Sequence, residues 1–233
     1  MTDIAPLSSK DTCERLTLVV HELRAPLTVI RGYLQLLDRD DFLDAEEREA
    51  ASTAASRAAK RLEQLLEDLV AAVSDPTVFT PAVNEPVSML ALAKDVVAEI
   101  EPLAARPLSV SGDAGVIQGD PARLRQVLEN LVSNAIKHTP GAGTVSVSVK
   151  DGSDERVSVI VEDSGPGVPE EYRETVFDLF ERVRVGSKAT AGLGLGLPTA
   201  RAIVRAHGGE LGLDDTPERT GARFVATLPT GRD

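Results

Sequence analysis

The stretch ENLVSNAIKH places Asn130 and Asn134 four residues apart and Lys137 and His138 one turn beyond, so one helix face can present all four. Amide oxygens are hard, neutral ligands that suit Mg2+, and a nearby lysine can hold phosphate oxygens. Alone, the pattern describes a solvated helix face equally well. A second stretch, VEDSGPGVP, ends a strand in Asp163 and runs into Gly165 and Gly167. Glycine permits positive φ and close backbone approach to a ligand, and a carboxylate at a strand end can accept a hydrogen bond from an exocyclic amine such as that of adenine. Alone, this is an ordinary Asp–Gly turn. The third stretch, AGLGLGLPTARAIV, sets Gly192, Gly194 and Gly196, with Leu193 and Leu195 between them, before a helix whose N-terminus can cradle phosphates. A hinge has the same composition. The polar segment SGPGVPEEYRETVFDLFERVRVGSKAT before that loop is long enough to close over a nucleotide as a lid. Phe177 and Phe180 would anchor it, and Arg182, Arg184 or Lys188 could meet phosphate or simply form a solvated basic edge.

Near the start, VVHELRAPLTVIRGYLQLL places His21 and Glu22 at the front of an apolar helical pattern. A neutral imidazole is a nucleophile near pH 7 that needs no strong base. It can attack a γ-phosphate directly, and Glu22 could accept a hydrogen bond from the other ring nitrogen and offset its developing charge. With Val20 and Leu23 as packing positions, His21 lies about 100° round from Val20 and outside the stripe. Pro26 removes a helical hydrogen bond just beyond and is expected to bend or loosen the helix.

These residues need elements to hold them. Apolar residues at 16, 20, 23, 27, 30, 34 and 37 step by four and three, predicting one helix over about 10 to 38 with a narrow coiled-coil-like seam. After the acidic loop DRDDFLDAEE, Ala51, Ala55, Ala58, Leu62, Leu65 and Leu69 repeat those steps. Two such helices form a hairpin that cannot enclose a core alone, so two copies are expected to make a four-helix bundle. The three prolines of SDPTVFTPAVNEP mark residues 74–86 as a linker between a 1–73 hairpin and an 87–233 domain. In that domain VSMLALAKDVVAEIEPLA, PARLRQVLENLVSNAIKH and LPTARAIVRAHGG have helical spacing, the last ending at Gly208. GTVSVSVK and RVSVIVED alternate like neighbouring strands, and ARFVATLP reads as the last strand. The fold class is therefore α+β: a helical hairpin followed by an α/β sandwich, one mixed sheet with helices on one face.

Composition excludes several functions. A net charge of −12 opposes binding to a phosphate backbone, so nucleic acid is not an expected partner. The single cysteine, Cys13, cannot form an internal disulfide, which fits a reducing compartment. No apolar run approaches the roughly 18–20 residues of a membrane span, and MTDIAPLSSKD lacks the pattern of a signal peptide, so a cytoplasmic location is expected. The residues before Lys10 are too few for a sensor domain, so input is expected from a longer protein or a separate sensor partner.

In order along the chain, HELRAPL resembles the histidine box of sensor histidine kinases of two-component systems, and the three later stretches resemble their N, G1 and G2 boxes, with VFDLFERV resembling the F box. The resemblance runs from about residue 10 to 229. It implies a dimerising histidine-phosphotransfer hairpin and a Bergerat-type ATP-binding domain of the kind shared with gyrase, Hsp90 and MutL. Carried onto this sequence, it implies His21 as phosphoacceptor, Asn134 as principal Mg2+ ligand with Asn130 in support, and Lys137 and His138 facing phosphates. Asp163 would take the adenine amino group, Gly165 and Gly167 would shape its pocket, and Gly192, Gly194 and Gly196 would close on the phosphates. The phosphoryl group would pass to an aspartate of a response regulator.

Two departures from the family pattern carry expectations. Ala25 stands where many relatives have Thr or Asn, so regulator phosphatase activity is expected to be weak. Leu193 stands where many have Thr or Ser, removing one lid hydrogen bond. The nearest rival, an ATPase of the same fold, would need a glutamate one turn before the metal-binding Asn, and Asn130 holds that place. A non-catalytic dimeric scaffold is the rival from another class.

Overall fold

The computed structural model describes residues 9–38, 44–73, 81–104, 106–152, 154–181, 183–185, 188–189, 193–214 and 220–231. They form two compact units, a helical hairpin and a sheet domain.

The hairpin pairs α1, Ser9–Leu37, with α2, Ala45–Val73. The repeat in α1 divides between two environments. Leu23, Ile30 and Leu37 are half-buried, whereas Val20, Leu27 and Leu34, seven apart, are 51%, 55% and 55% exposed. The side chain of Leu16 lies outside the described residues. On α2, Ala51 and Ala58 are buried and Ala55, Leu62, Leu65 and Leu69 half-buried, while Leu66 and Val70 are exposed. A 3–4 repeat supplies one row for the partner helix and a second row for something beyond the hairpin.

Helix α2 begins inside the acidic stretch expected to be loop. Asp44 and Glu47 form a reciprocal capping box: the Glu47 N–H donates to Asp44 Oδ1 at 2.8 Å and the Asp44 N–H donates to Glu47 Oε2 at 3.0 Å. Helix α1 is continuous across Pro26, in keeping with the single helix expected over about 10 to 38. The proline acts locally, by removing the helical donor to the carbonyl of Glu22.

The second unit is built on a mixed five-stranded sheet in the order β2-β4-β5-β9-β8. Its strands are β2 (Leu108–Gly112), β4 (Val145–Asp151), β5 (Arg156–Asp163), β8 (Glu210–Leu213) and β9 (Arg223–Pro229). Strand β2 runs parallel to β4, and the other neighbours are antiparallel. A separate ladder joins β1 (Glu85–Ser88) to β3 (Val116–Gly119) antiparallel, with Glu85 opposite Gly119. Strand pairing thus takes up Glu85 and Pro86, residues expected in the linker; residues 74–80 of that linker lie outside the described residues.

Alternate residues of β4, β5 and β9, among them Val147, Val159 and Phe224, enter a core shared with α3 (Met89–Ala104), α4 (Pro121–His138) and α5 (Gly196–Ala206). Each fully buried aliphatic side chain contributes about 1.5–3 kcal/mol. Leu124, Leu128 and Leu131 spend one face of α4 on that core, which leaves the Asn130 and Asn134 side of the helix for other work. No helix among the described residues is long and apolar enough to cross a membrane.

Candidate nucleotide site

Three chain segments converge at the C-terminal half of α4. Asn130 and Asn134 are half-buried there, Lys137 is exposed and His138 half-buried. The Asn130 Nδ2 is buried without a hydrogen-bond partner, and a Cβ on Gly196, the first residue of α5, would lie 3.5 Å from Asn130 Oδ1. The start of α5 therefore abuts the asparagine face, and an unsatisfied buried amide there is costly unless a ligand or water completes it. Two amides one turn apart beside the uncapped start of a helix are a donor set that fits Mg2+. Glu129 is turned aside to Arg125, 3.9 Å away, which in turn reaches Glu99 at 3.3 Å.

Helix α5 opens without a cap. Leu195 occupies the N-cap position with no side-chain hydrogen bond, and the Thr199 N–H is the donor that reaches back to the Leu195 carbonyl. Pro198 has no N–H to place, so the N–H groups of Gly196 and Leu197 head the helix and are available to an anion, with the helix dipole behind them. Gly194 has φ +69°, and a Cβ there would strike the Glu181 carbonyl oxygen, so only glycine lets the loop lie this close to the segment before it. The Gly194 carbonyl accepts from the N–H of Phe180, itself at φ +67°, a costly conformation for a bulky residue.

Phe177 anchors that same segment. Its ring meets Phe224 of β9 edge-on at 6.0 Å between centroids, and the Arg201 guanidinium of α5 sits 4.9 Å above it. A 3-10 turn at Glu170–Tyr172 and a short ladder of β6 (Arg184–Val185) with β7 (Lys188–Ala189) occupy the segment expected to act as lid. Arg182 and Gly192 lie outside the described residues, as do the side chains of Arg184 and Lys188. Leu193 and Leu195 are buried.

Asp163 ends β5 and is buried at 4% exposure. Its Oδ1 accepts from the N–H of Gly165 at 2.7 Å and of Ala222 at 3.3 Å. Those two bonds fix the carboxylate and leave Oδ2 for a ligand amine. Burial, with Glu162 next door, pushes the Asp163 carboxyl above the usual range despite both N–H groups. A Cβ on Gly165 would lie 2.6 Å from the His138 carbonyl oxygen, so this glycine lets the strand end meet the end of α4. Burial and the adjacent Lys137 push the His138 imidazole below the usual histidine range, leaving it neutral at pH 7. Ala222 and Arg201, whose parts depend on chain-distant partners, and Phe180's contact with Gly194 carry no local signal in the sequence.

His21 and Glu22 belong to the hairpin, where His21 is exposed and Glu22 half-buried on α1. Matches to known proteins fit both units. Residues 119–232 match the family model of the histidine kinase-, DNA gyrase B- and HSP90-like ATPase, and residues 14–73 match the His Kinase A (phospho-acceptor) domain. The chain belongs to the sensor histidine kinase family. Among the relatives of this histidine kinase chain are the adaptive-response sensory kinases SasA of Synechococcus sp. (strain CC9902), 33% identical over 92% of the chain and 56% of the relative, and of Rippkaea orientalis, 30% identical over 93% and 58%. The chain thus spans little more than half the length of these relatives. Full-length ShkA in complex with AMPPNP aligns with a TM-score of 0.62 at 28% identity, covering 94% of this chain and 46% of that one. The mycobacterial sensor histidine kinase MprB aligns at 0.57 and 27%, covering 63% and 97%.

Proposed function

We propose that the protein is an ATP-dependent autophosphorylating histidine kinase that phosphorylates His21 and passes the group to an aspartate of a response regulator. The observation that carries this reading is that the helix position one turn before Asn134 holds Asn130, an amide with no basic lone pair, while His21 stands exposed beside a carboxylate. Among the described residues the helix position from which a carboxylate could activate water holds an amide, and a side-chain nucleophile is supplied elsewhere in the chain, so transfer is favoured over hydrolysis.

Asn134 with Asn130 would hold Mg2+, which when bound would offset charge on the β- and γ-phosphates. Asp163 Oδ2 would accept from the adenine amino group, with Gly165 and Gly167 shaping the base pocket. The heading N–H groups of α5, the loop of Gly192, Gly194 and Gly196 with Leu193 and Leu195, and Lys137, His138, Phe180 and Arg182 would line the phosphates. One His21 ring nitrogen would attack the γ-phosphorus. The new N–P bond forms as the bond from the γ-phosphorus to the β,γ-bridging oxygen breaks, and ADP leaves with that electron pair. The proton on the other ring nitrogen is stabilised by, or released to, Glu22.

Val20, Leu27, Leu34, Leu66 and Val70 support a homodimer, since they leave an apolar row of heptad spacing that the hairpin itself does not cover. A catalytic portion answering to a sensor, in the same or another protein, accords with the names of the sensory kinase relatives. Incubation with Mg2+ and ATP labelled in the γ-phosphoryl group tests the proposal. Acid-labile, base-stable label on the protein that disappears in His21→Gln is expected. Free phosphate without protein label would mean an ATPase, and neither product would mean a scaffold.

A further inference from the structure

The chain leaving the hairpin is tied to both helices of the nucleotide site at one point. Ala82, just ahead of β1, donates its N–H to Oδ2 of Asp120 at 3.3 Å. The other oxygen of that carboxylate caps α4, accepting from Ala122 N–H at 3.0 Å and Arg123 N–H at 3.2 Å. The Asp120 N–H donates to Nε2 of His207 at 3.1 Å, and Nδ1 of His207 meets the Ile203 carbonyl of α5 at 2.8 Å. Because Nε2 accepts, Nδ1 carries the proton and donates, which fixes the tautomer. Asp120 and His207 are both buried. Burial would raise the Asp120 carboxyl, but the N–H groups of Arg123, Ala122 and Ala82 together outweigh it and hold the group below the usual range.

The approach is built into the backbone. A Cβ on Gly119 would lie 2.8 Å from His207 Cδ2 and 2.9 Å from Leu124 Cδ1, so glycine is what allows the ring to reach the strand end. The β1–β3 ladder, with Glu85 opposite Gly119, fastens the same stretch a second time. Asp120 lies ten residues before Asn130, roughly 15 Å along α4, so it acts through the helix rather than on a ligand.

We propose that the Asp120–His207 junction is a positioning device: it locks residues 82–84 to the first turn of α4 and the last turn of α5, so that nucleotide occupancy and the placement of the chain arriving from the hairpin bias each other. Asp120 and His207 are positioning residues in this scheme, and it rests on the reading of the domain as an ATP site. A displacement of Ala82 pulls on the N-cap of the helix that carries Asn130 and Asn134, and through His207 on the helix that heads the phosphate loop. By reciprocity, fixing those helices with nucleotide steadies residues 82–84.

Amide hydrogen exchange on the full chain, with and without Mg2+ and ADP, tests this, ADP being chosen so that no turnover intervenes. In the wild-type chain ADP is expected to slow exchange at residues 163–167 and, by about 3-fold or more, at residues 82–84. Asp120→Asn separates the two roles of the carboxylate. Asn is as good an N-cap as Asp, but its NH2 would face the Ala82 N–H, donor against donor. D120N should therefore retain protection at 163–167 and lose it at 82–84. Protection at 163–167 with no change at 82–84 in the wild type overturns the junction while leaving the ATP site standing, as does an undiminished response at 82–84 in D120N. No protection at 163–167 overturns the ATP site and the junction with it. The wild-type comparison can refute the proposal without any variant.

Discussion

Replacing Asp163 with Asn should separate the stability of the domain from its recognition of adenine. In the folded chain Oδ1 takes two backbone N–H groups, from Gly165 at 2.7 Å and Ala222 at 3.3 Å, and an Asn side-chain oxygen can take both. The NH2 then replaces Oδ2 and confronts the adenine amino group with a second donor. Flipping the amide only moves the mismatch onto the two backbone N–H groups. One charge-assisted hydrogen bond is lost and a donor is left unpaired, about 2–4 kcal/mol, or roughly 30- to 1000-fold in ATP affinity. Stability should move the other way. The Asp163 carboxyl is raised above its unfolded value, chiefly by burial, so the stability it contributes is present at acid pH and lost as pH rises through the folded value. Above that folded value D163N should melt at the same temperature as the wild type or higher, the gap closing as the pH falls. Binding of a fluorescent ATP analogue and thermal melts across pH 4 to about 8 read both halves, a range that spans carboxylate titration. ATP affinity within 3-fold of wild type in D163N would refute the base-binding role, and a lowered melting temperature above the folded value would refute the account of the buried charge.

Gly194→Ala must place a Cβ at φ +69° against the Glu181 carbonyl, so it should cost about 1–3 kcal/mol of domain stability and weaken nucleotide binding, both visible in thermal melts with and without ATP. Leu27→Glu with Leu34→Glu puts charge on the exposed apolar row while sparing Leu23, Ile30 and Leu37, so light scattering should report a helical monomer in place of a dimer. Ala25→Thr would restore a hydroxyl one turn beyond His21, and ADP-bound A25T should speed loss of phosphate from the cognate regulator relative to the wild type.

The parts of this molecule that one helix can position alone were legible in its sequence. The four residues Asn130, Asn134, Lys137 and His138 need nothing but the period of α4, and the bounds of that helix match its pattern, with Pro121 at its first position. The row at 20, 27 and 34 was visible as well, but periodicity cannot tell burial within a hairpin from burial against another copy, so one expected seam became two rows. Strands β2, β3 and β8 were not anticipated, because four or five residues bordered by glycine carry little alternation. The start of α2 could have been read from DAEE, an Asp-x-x-Glu capping box that acidity alone disguised as loop. Ala222, Arg201 and the Asp120–His207 pair stayed hidden because their partners lie far away in the chain, 87 residues for Asp120 and His207, and no local pattern encodes such a contact.

In the proposed reaction, ATP held by one unit phosphorylates a particular histidine of the other. The chain has three histidines, and the structure gives them different environments: His21 exposed on α1, His138 half-buried at the end of α4, and His207 buried with both ring nitrogens engaged. Site mapping by tandem mass spectrometry under alkaline conditions, after incubation with Mg2+ and ATP, decides among them. Phosphoryl on His21 alone is the result predicted; phosphoryl on His138 or His207, or on no histidine while ATP is bound, would contradict it.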